Sequence, residues 1–121
     1  MAQTIKVPDD AGPYEVSLSM GRFPFDWDLF DYQLGPAGWS KQKLASGSSF
    51  MKVRLPQATR ADLGGHTLVW SITLINLEEK ARTTEITVAL AGPSAKPNLL
   101  TVSFDAAPER PHLFVTVQVV A

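Results

Sequence analysis

The chain has 121 residues, of which 45% are hydrophobic and 19% are charged. This composition fits one folded domain spanning residues 1–121, with a substantial core, and it excludes wholesale disorder. The formal net charge of −1 offers no positive field to a polyanion, so we expect no nucleic-acid partner. The absence of cysteine excludes disulfides, thiolate metal sites and cysteine nucleophiles.

The first ten residues, Met1 to Asp10, lack the basic start and the apolar core of a secretory signal. No apolar run further along the chain approaches the length needed to span a bilayer. The sequence therefore predicts no membrane partner, and together with the lack of cysteine it favours the cytosol.

Six segments alternate apolar and polar residues with a period of two, which predicts half-buried β-strands rather than helices. Two weaker candidates lie at Thr4–Val7 and Asp28–Leu34, giving seven or eight strands. No helix of useful length is expected. The inward-facing apolar positions of the six segments are Tyr14, Val16, Leu18 and Met20; Met51, Val53 and Leu55; Leu68, Trp70, Ile72 and Leu74; Ile86, Val88 and Leu90; Leu100, Val102 and Phe104; and Leu113, Val115, Val117 and Val119.

Clusters of Gly, Pro and Ser separate the predicted strands, among them 35–38 and 46–49, and these residues favour turns. A short polar link joins two long strand patterns and predicts an antiparallel hairpin from about Leu68 to Leu90. The whole pattern predicts an all-β fold: a two-sheet antiparallel β-sandwich of jelly-roll or immunoglobulin-like topology.

The segment from Phe23 to Tyr32 contains five aromatic residues and three aspartates in ten positions, more than a sandwich core requires. Aromatic faces beside carboxylates can bind the C–H faces and hydroxyls of a sugar, and aromatic residues also anchor protein interfaces. We therefore expect a non-enzymatic, lectin-like binding module that engages a carbohydrate or a protein surface. The candidate ligand-binding residues are Asp26, Trp27, Asp28, Asp31, Tyr32 and Trp39.

Two other interpretations of this segment stay open. Its aromatic residues could close one end of the sandwich, with the aspartates in water or capping a helical turn. The aspartates could also bind Ca²⁺, but the spacing lacks the turn glycine and the closing glutamate of an EF-hand loop. The sequence thus predicts no metal ion and no cofactor.

Trp39 follows a turn cluster and is expected on a loop, where it could stack on a ligand beside Trp27, whereas Trp70 is expected in the core. His66 and His112 are each expected to be solvated or to cap a turn. No local signature marks a catalytic nucleophile, so we predict that the chain is not an enzyme.

Charge is unevenly distributed along the chain. Residues 9–31 hold six acidic residues and only Arg22 as a base, whereas residues 41–60 hold five basic residues and no acid. We expect the two regions to pair within one sandwich, because segments near in sequence often pair. If they instead lay on opposite sides, copies of the chain could associate head to tail, so a self-assembling homo-oligomer is the alternative function.

Overall fold

A computed structural model describes residues 3–9, 11–21, 24–49, 51–57, 59–74, 82–93, 96–106 and 112–121. These residues form an all-β sandwich of two sheets, as the sequence predicts. One short helix, α1 (Arg60–Leu63), lies among them. The strands are β1 (Gln3–Lys6), β2 (Glu15–Met20), β3 (Phe25–Gly35), β4 (Gly38–Ser48), β5 (Met51–Arg54), β6 (Thr67–Leu74), β7 (Arg82–Ala91), β8 (Asn98–Ala106) and β9 (His112–Val120).

The five-stranded sheet has the order β1-β9-β6-β3-β4, and the four-stranded sheet has the order β5-β2-β7-β8. All neighbouring strands are antiparallel except β1 and β9, which run parallel from the pair Gln3–Val117 to the pair Lys6–Val120. The two sheets enclose a single apolar core between them.

The predicted alternation is confirmed in the strands that occupy the middle of each sheet. In β6, Leu68, Trp70, Ile72 and Leu74 are all buried, and the residues between them are partly exposed. Trp70 is fully buried, and its indole N–H donates to the Met51 sulfur at 2.8 Å. Alternate positions of β2, β7 and β9 are buried in the same way because each strand presents one face to the opposite sheet.

The predicted hairpin from Leu68 to Leu90 is wrong. β6 pairs with β3 and β9, whereas β7 pairs with β2 and β8 in the other sheet. The connection between β6 and β7 therefore passes from one sheet to the other. Both strands bury one face in the same core, so their alternation reveals the burial but not the sheet to which each strand belongs.

β4 has no counterpart among the predicted strands. It begins at Gly38, whose φ of +105° suits the tight turn after Pro36 and Ala37, and it includes most of the predicted turn cluster 46–49. Residues Gly38 to Lys43 are exposed on both faces. Because no second sheet covers this part of β4, nothing requires its side chains to alternate.

Candidate functional site

All six candidate ligand-binding residues lie on the β3–β4 hairpin. Asp26, Trp27, Asp28, Asp31 and Tyr32 belong to β3, and Trp39 is the second residue of β4 rather than part of a loop. Along β3, residues 25, 27, 29 and 31 face the core, whereas residues 26, 28 and 30 face outward. The hairpin thus divides the candidate residues between two faces and two ends.

Trp27 is buried, with 7% of its surface exposed, so it cannot stack on a ligand at the surface of this structure. Its ring packs beside Gly47 of β4, where an added Cβ would lie only 3.0 Å from the ring atom Cζ2. Among the described residues, no acceptor reaches its indole N–H. Trp27 therefore covers the inner side of the sheet where β4 offers only a glycine.

Asp31 is also buried, and it is paired with His66. The His66 Nδ1 atom lies 2.8 and 2.9 Å from the two carboxylate oxygens, and Gln57 Nε2 donates to Oδ2 at 3.4 Å. This contact holds the start of β6 against β3. It corrects the expectation that His66 is solvated, and it leaves the Asp31 carboxylate inaccessible to a surface ligand.

Asp26 and Asp28 point outward, but each carboxylate has a partner on β4. Ser48 Oγ donates to Asp26 at 2.6 Å, and the Lys43 ammonium lies 3.1 Å from Asp28. These contacts join neighbouring strands across one face of the sheet. Asp26 and Asp28 therefore stabilise the pairing of β3 with β4 without any bound ligand.

The acidic and basic regions of the sequence meet within the same sandwich, which confirms the favoured expectation. Besides the Asp28–Lys43 contact, Lys52 of β5 lies 3.1 Å from Glu15 of β2. Arg60 at the start of α1 pairs with Asp9. Opposed charge patches on two sides of the molecule therefore do not supply a reason for self-assembly.

The end of the hairpin, which we call the hairpin tip (residues 33–41), is exposed throughout. Leu34 and Trp39 face each other across the two strands and are 62% and 65% exposed. Lys41 lies with its ammonium 4.3 Å from the centre of the Phe30 ring. Trp39 and Leu34 thus form a small apolar surface beside a positive charge.

The hairpin does not bring Trp27 and Trp39 together. Trp39 pairs with Leu34, and Leu34 lies seven residues from Trp27 along β3. At about 3.3 Å per residue this separates the two positions by about 23 Å. Trp39 remains a candidate for surface binding, with Leu34 as a neighbour that the sequence patterns did not single out.

A second feature, also not predicted, is an apolar cleft of about 350 Å³ between the two sheets. Its lining side chains come from β6 and β9 on one side and from β7 and β8 on the other. Several of these side chains are only partly buried. Their positions alternate with polar residues as those of the closed core do, so the sequence pattern does not distinguish the cleft from the core. The lining side chains include Leu74, Ile86, Val102, Phe104, Leu113 and Val115.

The described residues contain no group of three or more His, Asp or Glu side chains placed to hold a metal ion. None of their helices is long and apolar enough to cross a membrane.

No family model, curated protein or solved structure matches this chain. Its function is therefore inferred from its own residues and geometry.

Proposed function

We propose that this domain is a non-enzymatic binding module that docks on a protein surface through the hairpin tip. The observation that carries the proposal is the exposure of Leu34 and Trp39 side by side on a two-stranded arm. Tryptophan is enriched among the residues that dominate protein interfaces, because it buries a large apolar area with few rotatable bonds. Two flanking strands hold this pair at a fixed place.

The geometry favours a protein partner over a carbohydrate. A sugar site of the expected kind needs carboxylate acceptors beside an aromatic face, but Asp31 is buried against His66 and Asp28 is paired with Lys43. Asp26 accepts from Ser48. The exposed tip offers apolar side chains and Lys41, which suits a partly apolar protein surface with an acidic group.

The Asp31–His66 pair supports a structural role rather than an enzymatic one. A histidine oriented by an aspartate is part of the Ser-His-Asp arrangement, but there the histidine must reach a nucleophile and a substrate. Here both side chains are buried, and their contact joins β3 to β6. Buried polar groups in proteins are paired in this manner to avoid the cost of unmet hydrogen bonds.

Photo-cross-linking tests the proposed function. Benzoylphenylalanine replaces Trp39 in cells that produce the protein, and it replaces Leu99 in a matched control because Leu99 of β8 is equally exposed, at 64%. We expect a discrete cross-linked protein from position 39 that is lost when Leu34→Asp is added, and no such product from position 99. Identical products from both positions, or none from position 39, would contradict the proposal.

A panel of soluble oligosaccharides tests the carbohydrate alternative. Trp39 is the exposed member of the three tryptophans, so a sugar stacked on the hairpin tip would change its fluorescence. We expect no saturable change with any sugar. A saturable shift that disappears in Trp39→Phe would favour the lectin-like function instead.

A further inference from the structure

The apolar cleft lies at the opposite end of the sandwich from the hairpin tip. β3 and β6 pair from Phe25–Leu74 to Tyr32–Thr67, and the tip continues β3 beyond the Thr67 end. Leu74, by contrast, lines the cleft. Nine residues of β3 separate Leu34 from Phe25, or about 30 Å at 3.3 Å per residue. One chain thus has an exposed apolar projection at one end and an apolar recess toward the other.

The cleft is large enough to receive side chains of another molecule. Its volume of about 350 Å³ is near the lower end of the range of roughly 300–1,000 Å³ found for ligand pockets. Phe114 at its border is 71% exposed, and Val102 and Leu113 are only partly buried. An inserted indole or isobutyl group would remove these apolar surfaces from water together with its own.

The backbone beside the cleft is also open to a partner. β1 begins at Gln3 opposite Val117, so β9 from His112 to Thr116 has no neighbour on that side within the described chain. β4, which carries Trp39, is the last strand of the same sheet, and no described strand pairs with its outer edge. Free strand edges accept a further strand through backbone hydrogen bonds.

The charges at the two ends are complementary. Lys41 is exposed on the hairpin tip, and Asp105 is exposed on β8, where it lines the mouth of the cleft. Opposite charges at the border of an apolar contact favour one docking orientation and speed association. A second copy of this chain provides both the apolar projection and the matching charge.

We infer that the hairpin tip of one copy docks into the cleft of the next, with Leu34 and Trp39 as the inserted side chains. The inference rests on the proposed function of the hairpin tip and names its partner. Because the two surfaces differ and lie at opposite ends, the contact is heterologous, and repeated contacts build a ring or a filament. Self-assembly thus follows from shape rather than from the separated charge regions of the sequence.

Cross-linking tests this arrangement directly, since the chain has no cysteine of its own. Ala37→Cys places a thiol on the hairpin tip, Phe114→Cys places one at the cleft, and Leu99→Cys is the control. With a short bismaleimide, we expect a covalent dimer from the mixture of the first two variants and none from either variant alone. The mixture of Ala37→Cys with Leu99→Cys should give no dimer, whereas the double variant Ala37→Cys/Phe114→Cys should give a ladder or a closed ring.

Two cross-linking results would overturn the inference. Dimers from Ala37→Cys alone would show a symmetric contact between tips. Equal yields with the cleft thiol and with the control thiol would show random collision.

Sedimentation equilibrium over a concentration series measures the same contact without a cross-linker. We expect Trp39→Asp to weaken self-association by about tenfold or more, as loss of a central interface residue does, and Leu99→Asp to leave it unchanged. Equal mixing of Trp39→Asp with Leu113→Trp, which fills the cleft, should restore dimers but not longer assemblies. Circular dichroism shows whether each variant is folded, and Val102→Trp replaces Leu113→Trp if the latter is not.

The two proposals can fail separately. A chain that stays monomeric at every concentration, but still yields a different protein cross-linked at position 39, overturns self-assembly and leaves the proposed function intact. Saturable binding of 8-anilinonaphthalene-1-sulfonate in the cleft of a chain that never self-associates would assign the cleft to a small apolar ligand instead. Loss of all products at position 39 overturns both.

Discussion

Two tryptophans on one β-hairpin have opposite surroundings. Trp27 lies where the other sheet covers β3, and it is buried against Gly47. Trp39 lies where β3 and β4 extend beyond that cover, and it is exposed on the tip. The comparison shows that one continuous pair of strands serves as core at one end and as an accessible arm at the other. Residue type alone does not distinguish the two ends.

The largest expected effect is on the free energy of unfolding, and it should differ strongly between substitutions of Trp27 and of Trp39. Trp27→Ala should lower the free energy of unfolding by about 3–5 kcal/mol, because it removes a buried indole and leaves a cavity. Trp39→Ala should change it by no more than about 0.5 kcal/mol, as for other surface substitutions. Urea unfolding followed by circular dichroism measures both. A large loss for Trp39→Ala would show that the tip is packed in solution.

The buried polar pair should give the next largest effect. Asp31→Ala leaves the His66 imidazole buried without its partner, at a cost of about 1–3 kcal/mol. Asp26→Ala is the matched control on the exposed face of the same strand, and we expect no more than about 0.5 kcal/mol there. The same unfolding experiment measures both variants. Equal losses of unfolding free energy would show that burial of the Asp31–His66 pair adds nothing to its contribution to stability.

Gly47→Ala tests the close packing around Trp27. The new Cβ would lie 3.0 Å from the Trp27 ring, so the ring must shift, and we expect a loss of about 1 kcal/mol. Gly35→Ala is the control, since its nearest neighbour lies 3.9 Å away. The penalty should shrink in a Trp27→Leu background, which a double-mutant cycle detects. If Gly47→Ala costs the same in the Trp27→Leu background, the loss does not come from contact with the Trp27 ring.

The smallest effect is expected from the ion pair on the outer face. Both the Lys43 and the Asp28 side chains are about half exposed, so water and salt screen their attraction. Lys43→Ala should therefore cost no more than about 0.5–1 kcal/mol, and less as salt is added. A loss that does not respond to salt would indicate packing of the lysine stem rather than charge.

The sequence pattern predicts the strands that bury one face. It does not predict strand segments that are exposed on both faces. Alternation at Leu68, Trp70 and Ile72 identifies β6, but β4 from Gly38 to Lys43 faces water on both sides and has no such pattern. The pairing of β6 and β7 was predicted wrongly because adjacency along the chain does not specify a sheet.

Within the candidate site, the sequence predicted a strand at Asp28–Leu34, which is part of β3, but it predicted a loop at Trp39, where β4 begins. It could not reveal the pairing of Asp31 with His66, because 35 positions separate them and only the register of β3 on β6 brings them together. Nor could it reveal the cleft, since Leu113 and Val102 have the same pattern as closed core. Both features depend on how distant strands are stacked.

The parallel pairing of β1 with β9 also bears on how this chain folds. Gln3 meets Val117 only after the whole intervening chain has been closed into a loop, which has a high entropic cost. The β3–β4 hairpin closes a two-residue turn, and isolated hairpins form in about 1–10 μs. We therefore expect the arm to form early and the β1–β9 contact late, with overall folding on the millisecond-to-second scale of sandwiches rich in distant pairings. The hairpin tip would then be exposed on folding intermediates before the cleft between the two sheets is complete.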